Sequence, residues 1–336
     1  MPCKDGSRQT ASDAWITLAH AVEPDDALIG GLLDRLGPQE VVDRIRAGST
    51  GLRHGEGLAA RLDGFCVDRA RARADRLGGR ILTREESEWP APLLDLGARM
   101  PMALWVVGTA DLRLLALRSV SIVGARACTA YGEAIARAWS MELVTSGWAV
   151  VSGAAFGIDA AAHRGALAAG GLTLAVMAGG VDVPYPRAHA ALLASVADQG
   201  AVVSEVPPGE QVRRRRFLTR NRLIAAIGRS TVVVEAAERS GTTATARAAA
   251  AMLRPVLAVP GPVTSPASTG CHRMVQDGTA MLATEVSDVL AAADLTAEVS
   301  PSEAASSAVE SDRDLLSDRE ARVLDAIPGR GWIDIT

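Results

Sequence analysis

Apolar residues change their spacing along the chain, and each change marks a boundary. From Ser12 to about Leu77 they recur at helical intervals in short stretches: Trp15, Leu18 and Val22, then Leu28, Leu32, Leu33 and Leu36, then Val41, Val42 and Ile45. Glu23-Pro24, Gly37-Pro38 and Gly48 punctuate them, so 12–78 is expected to be a small all-α domain of four or five helices. Beyond Gly78-Gly79 the pattern shortens. Val120, Ile122 and Val123 form an apolar run that breaks at Gly124-Ala125-Arg126, and a helix-length segment follows from Tyr131 to Thr145. Trp148 to Val151 is a second run, and a second helix opens near Gly157-Ile158-Asp159, with Asp159 at its cap or first turn. Strand, helix, strand, helix in this order is a βαβ unit and predicts a parallel sheet.

The alternation continues with strands over Thr173–Met177, Ala201–Ser204, Thr231–Val234 and Pro255–Val259, and with helices over 188–197, 218–227 and 242–252. The expectation is an α/β fold: a doubly wound parallel sheet of about six strands within 79–293, with 79–118 elaborating one edge. Pro255–Val259 reads as an apolar, uncovered edge strand, which tends to pair or be covered. That motivates an expected two-fold homodimer through this part of the domain; the alternative is that the segment after Pro260 covers the edge within one chain. Residues 294–311 are rich in Ser, Ala and Glu and read as a linker. Within 312–336 a single helix, Ser317 to Ile327, cannot bury its own apolar face, so the segment reads as the start of a further domain cut short.

Composition sharpens this picture in two places. Aromatics are only 3% of residues, so the core must be built from Ala, Val, Leu and Ile. Net charge is −4, which argues against a nucleic-acid partner, yet from 119 to 290 there are 15 Arg against 12 acidic residues. The four cysteines show no CxxC or Cys/His ligand spacing, so no metal site is expected, and no motif calls for a cofactor. There is no apolar leader and no apolar run of membrane-spanning length, which predicts a cytoplasmic protein without membrane insertion.

The candidate chemistry gathers in the loops at the carboxyl ends of the strands: Gly124-Ala125-Arg126, Ser152 to Gly157, Gly179-Gly180 and Ser240-Gly241-Thr242-Thr243. Three of them lead into helices, whose free amides suit phosphate. Neither GxxxxGK[ST] nor GxGxxG is present. Six arginines fall among the ten residues from Arg213 to Arg222, with Phe217 between them. Guanidinium groups take phosphate in bidentate fashion and a ring offers a base a face to stack on, so the stretch reads as part of a single-strand groove. Acid–base candidates (Asp159, His163, Glu205, Glu235) form no catalytic spacing, and no catalytic group is nominated. The N-terminal helices allow either a packing or partner-docking module or a helix-hairpin-helix that offers amides to DNA phosphates.

SIVGARACTAYG, SGAAFGIDAAAH, MAGGVDVPYP, SEVPPG, FLTRNRLIAAI, VVVEAAERSGTTATA and VLAVPG occur in an order and spacing that resemble the DNA-processing protein A (Smf) family, over about residues 80–290. The resemblance implies an extended Rossmann-like domain, a SAM-like domain before it and the beginning of a winged helix after it. It further implies a homodimer, single-stranded DNA binding, delivery of the RecA recombinase to DNA in natural transformation, and no catalysis. By position, Arg126, Phe217 and the Arg220-Asn221-Arg222 triplet would face DNA. Ser152-Gly153 and Ser240-Gly241-Thr242 would supply phosphate-facing amides and hydroxyls, with Gly124 and Gly157 in the adjoining turns. The chain departs from the family at Leu218, where proline is common, and at His272, where asparagine is usual. The alternative is a nucleotide-binding or phosphoribohydrolase-like protein related to lysine decarboxylases. There the catalytic glutamate would fall at Thr245, which disfavours hydrolysis.

Overall fold

A computed structural model of the chain describes residues 11–51, 55–238 and 240–295. The linker and winged-helix readings of 296–336 lie outside the described residues. Nine strands form one sheet: β1 (Gly79–Leu82), β2 (Leu104–Gly108), β3 (Ser119–Val123), β4 (Ala149–Ser152), β5 (Thr173–Met177), β6 (Ala201–Ser204), β7 (Ser230–Val233), β8 (Val256–Ala258) and β9 (Met281–Leu282). Their order is β1-β2-β6-β5-β4-β3-β7-β8-β9. From β3 onward all neighbours are parallel, whereas β1 pairs β2 and β2 pairs β6 antiparallel. The sheet is therefore mixed, and the expected purely parallel sheet is corrected at this edge. Within the segment 79–118, β1 returns along β2 with Ile81 opposite Trp105.

The central strands β3 to β7 are buried along their whole length, as a sheet covered on both faces requires. Alternate residues serve the two faces. Val120, Ile122 and Val150 pack with Trp139 and Leu143 of α7 (Ala130–Thr145) and with Ile158 and Ala162 of α8 (Ile158–Ala168). Val151, Leu174 and Val176 pack with Leu223 and Ile224 of α10 (Arg214–Ile227). Two serines of β3 turn toward the same helix: Ser121 Oγ donates to Ile224 O at 2.7 Å and Ser119 Oγ to Ile227 O at 3.1 Å. These bonds fix α10 across the sheet and so set where its first turn emerges.

β8 is not an open edge. β9 pairs with it in register Leu257↔Met281, so the segment after Pro260 covers the strand within the chain. The physical motive for an edge-mediated dimer is thereby removed.

Five helices precede the sheet: α1 (Ala11–Ala21), α2 (Ala27–Leu36), α3 (Pro38–Arg46), α4 (Gly55–Leu62) and α5 (Val67–Arg76). Their apolar stripes meet one another and also Ile81, Met102 and Trp105 of the β1–β2 region. Polar ties cross the same boundary: Trp15 Nε1 donates to Glu85 Oε1 at 3.2 Å, and Arg99 pairs with Asp25 at 2.6 Å. Helices and sheet belong to one compact unit. Among the described residues no helix is long and apolar enough to cross a membrane.

Candidate nucleic-acid interface

The strand order reverses between β3 and β7, and doubly wound sheets usually place a ligand in the crevice outside that point. Here the crevice is filled from within. Glu235, just past β7 and 3% exposed, accepts hydrogen bonds from the Thr129 amide at 2.9 Å and from Thr129 Oγ1 at 2.5 Å. Its own carbonyl accepts from the Ala125 amide at 2.8 Å. Gly132 lies against the carboxylate so closely that any Cβ there would collide with it. The residue that caps α7 is thus already engaged by a carboxyl group of the chain itself.

The loop after β4 is equally constrained. Gly157 has φ +74 and packs beneath the carbonyls of Ala125 and Arg126, a conformation and a proximity that exclude a side chain. The Ile158 amide donates to Ala125 O at 3.2 Å, which joins the loops after β3 and β4. Gly124 packs on Ile158 at the same seam. Ser152 Oγ donates to Ile122 O at 2.6 Å, so its hydroxyl serves the sheet and does not face a ligand.

Beneath these loops lies a buried polar layer, and it corrects two site expectations. Arg220 is 7% exposed. Its Nη1 donates to Gly153 O at 2.7 Å and also to Val176 O, bracing the ends of β4 and β5. Burial lowers its pKa to about 10, with Asp159 raising and Arg126 lowering it, so the group stays a cation at neutral pH. Asp159, at the start of α8, is also buried and accepts from the Ala155 amide at 3.3 Å. Burial pushes its carboxyl up, while Arg220 pulls it down. His163 is wholly buried and its Nδ1 is 2.7 Å from Thr173 Oγ1; burial, Arg220 and His189 lower its pKa to about 3. Arg222 points away from the edge altogether. It is 3% exposed and forks onto Glu205 at 2.7 and 2.8 Å, with Asp25 at 3.2 Å and Arg99 O at 3.0 Å. Neither Arg220 nor Arg222 extends toward solvent as expected, because each offsets interior carbonyls or carboxylates that would otherwise be unpaired.

The outer layer is aromatic and cationic. The Arg126 guanidinium sits 5.0 Å from the Phe217 ring centroid, within cation–π range, and Arg126 is exposed. Tyr185 meets Phe217 from another side, with centroids 5.2 Å apart at 57°. Phe156, from the loop after β4, packs edge-on against His189 at 4.7 Å. Phe156 and Tyr185 are 49% and 40% exposed, a large share for rings in a chain with so few aromatics. Neither was singled out by the sequence pattern, although Tyr185 stands between two prolines in the MAGGVDVPYP motif.

The arginine run divides by direction. α10 begins four residues earlier than expected, so Arg214, Arg215 and Arg216 occupy its first turn. Arg216 is buried and pairs with Glu23 at 3.0 Å and Glu210 at 3.1 Å; Arg213 reaches Glu23 at 3.2 Å. Arg214 and Arg215 are exposed, on the side where Leu218 also faces solvent. Asn221 Nδ2 donates to Gly241 O at 3.2 Å, linking α10 to the start of α11 (Gly241–Ala251). At that start Ser240 makes no side-chain cap and lies 3.3 Å from Thr243 Oγ1, while Thr242 is buried. Thr245 is 2% exposed within α11, leaving no carboxylate where a phosphoribohydrolase would need one.

Comparison with known proteins gives a consistent result. The family model described as DNA recombination-mediator protein A matches residues 80–294. A Mycobacterium tuberculosis protein named as a DNA processing protein DprA is 44% identical over 95% of this chain and 83% of its own length. The solved DNA processing protein A of Streptococcus pneumoniae superposes with TM-score 0.70 at 30% identity, covering 84% of this chain and 97% of its own. That of Helicobacter pylori, described for its single-stranded DNA binding mode, superposes with TM-score 0.57 at 26% identity over 63% of this chain and 94% of its own. With the family model matched over 80–294 and a relative 44% identical over most of both chains, this chain belongs to the DNA recombination-mediator protein A family, that of the DNA-processing protein A (Smf) proteins.

Proposed function

We propose that the loop edge built by Arg126, Phe217 and Tyr185 binds single-stranded DNA. The carrying observation is the exposed Arg126 guanidinium held over the Phe217 ring, with a second ring alongside. A cation fixed on an aromatic face offers phosphate and base recognition within one nucleotide's reach. An unpaired base can lie on such a surface, whereas a base inside a duplex cannot. Arg214 and Arg215, exposed in the first turn of the same helix, extend the positive surface along the backbone path. The buried cation at Arg220 adds to the local potential without touching the strand. The proposed role is one of binding.

Family membership supports a place in DNA processing during transformation, with the strand handed to the RecA recombinase by a homodimer. These finer steps rest on the relationship. Stimulation of recombinase assembly on a strand, and sedimentation of the 34.9 kDa chain at micromolar concentration, test them.

The binding reading is tested by fluorescence anisotropy of labelled oligo-dT and of a duplex of equal length, across a salt series. Preference for the single strand is expected, with log K falling by about 0.7 per phosphate contact for each unit of log salt. Salt-insensitive binding, or equal affinity for duplex, overturns it.

A further inference from the structure

A sizeable cavity lies not at this edge but beside it. It measures about 680 Å³ and lies between α1, the α4–α5 region and the loop from β6 to α10. Its volume falls in the range that small-molecule sites occupy, about 300–1,000 Å³. We infer that this cavity is a second nucleotide site, which takes a base and its phosphate from the same strand after it leaves Phe217. The inference rests on the single-strand reading above.

Three observations carry it. The lining holds five arginines against three carboxylates. Of the arginines, Arg213 and Arg216 are matched by Glu23 and Glu210, and Arg73 reaches Asp182 at 3.0 Å. Arg61 and Arg69 are different. Arg61 Nη1 donates to Ala21 O at 2.8 Å and Arg69 Nη2 to Gly64 O at 2.5 Å. A backbone carbonyl orients a guanidinium without cancelling its charge, although Arg61 also acts through space on Glu23 and helps to lower its carboxyl pKa. Among the described residues neither arginine makes an ion pair, although Asp63 is also on the rim. Two held cations with donors to spare are what a phosphate requires.

The second observation is the wall. His20 and Phe65 stack with centroids 4.2 Å apart and 15° between planes, forming a flat two-ring surface in the cavity lining. Burial holds the His20 imidazole below its ordinary pKa, so at neutral pH it is uncharged and behaves as an aromatic face. The third is continuity. Arg213, on the cavity lining, precedes Phe217 by four residues, which is about 6 Å along a helix. A strand lying on Phe217 therefore passes the cavity mouth within a nucleotide or two. The N-terminal helices, for which a phosphate-facing role was one of two readings, would then contribute through side chains and not through hairpin amides.

The test uses the full chain with oligo-dT of increasing length and with free thymidine monophosphate as probes. The double variant Arg61→Gln/Arg69→Gln should leave the affinity of the shortest strand that binds unchanged. It should weaken longer strands about tenfold and reduce the salt slope by roughly 1.4, the value for two single-strand phosphate contacts. Phe65→Leu should reproduce part of the loss at an unchanged slope. Identical length series for parent and double variant would overturn the second site while leaving the Phe217 edge intact. Tight binding of the free nucleotide at Arg61 and Arg69, with no gain from strand length, would also overturn it. Loss of every strand length on Phe217→Ala supports the edge but not the cavity; indifference of every length to Phe217→Ala would sink the edge reading itself. Unchanged melting of the double variant, checked alongside, assigns its effect to binding.

Discussion

The outward and inward faces of α10 carry the same residue type within nine positions, in opposite surroundings. Outward, Arg214 and Arg215 stand in solvent with Leu218, and the Phe217 ring receives Arg126. Inward, Arg216, Arg220 and Arg222 are buried, and each is matched by carboxylates or carbonyls. A cation in the first turn of a helix is unfavourable toward the helix dipole, which makes the outward pair costly unless an anion visits it. The inward set has the reverse character. It brings its own acceptors and holds together the loops and the N-terminal helices on which the outward surface rests. The lesson is that a run of arginines is no single site: three of these are buried in the scaffold, Arg213 is paired with Glu23, and two stand exposed beside the proposed interface.

The contrast is broken most severely at Arg222. Arg222→Ala leaves Glu205 buried without its fork, and stability should fall by about 3–5 kcal/mol in urea unfolding. A variant with parental stability and lost DNA binding would instead place Arg222 on the outward side. Acid gives the next largest effect, through the layer beneath the loops. His163 holds its pKa near 3 in the fold against an ordinary 6.5. Above pH 6.5 both states are neutral and the group adds no pH dependence. Below it the unfolded chain takes up a proton that the folded chain refuses, so stability declines toward pH 3 by up to about 1.4 kcal/mol per pH unit. Unfolding midpoints at pH 7 and pH 5 should therefore converge in His163→Asn relative to the parent; an equal drop in both would remove His163 from the account.

Phe217→Ala tests the outward face with a smaller effect. Affinity for oligo-dT should weaken by about 1–3 kcal/mol, with the salt slope and the melting temperature nearly unchanged. A shifted slope would mean that the ring positions phosphate contacts more than it stacks on bases. Smallest of all should be Arg214→Ala, which removes at most one exposed contact: a slope change of about 0.7 and no measurable change in stability. A large loss of stability there would erase the distinction between the two faces.

Much of the scaffold was legible. The shift from helical spacing to short apolar runs located β3 through β8 and the helices between them, since strands buried on both faces leave unbroken apolar runs. The antiparallel pair at β1–β2 was not legible as such, because a strand's direction is set by its partner and not by its own pattern. Cover of β8 from within the chain stood only as the alternative to a dimer, and β9 itself was not seen because Met281-Leu282 is two residues long and carries no periodicity. At this loop edge the tight turn at Gly157 and the placing of the Phe217 ring were readable from motif position. The direction of Arg220 and Arg222 was not, since it depends on Gly153 and Glu205, 67 and 17 residues away. Glu235 likewise looked like the end of a strand, and only the fold brings it to Thr129.

The measurement that bears most directly on the central claim is the salt dependence of oligo-dT binding by Arg126→Ala beside the parent. If the cation over Phe217 holds a phosphate, the variant should bind more weakly at low salt, and its slope should be shallower by about 0.7, with unchanged melting. Parallel slopes and equal affinities would contradict the account, because Arg126 would then be an ornament of the ring and the strand would bind elsewhere.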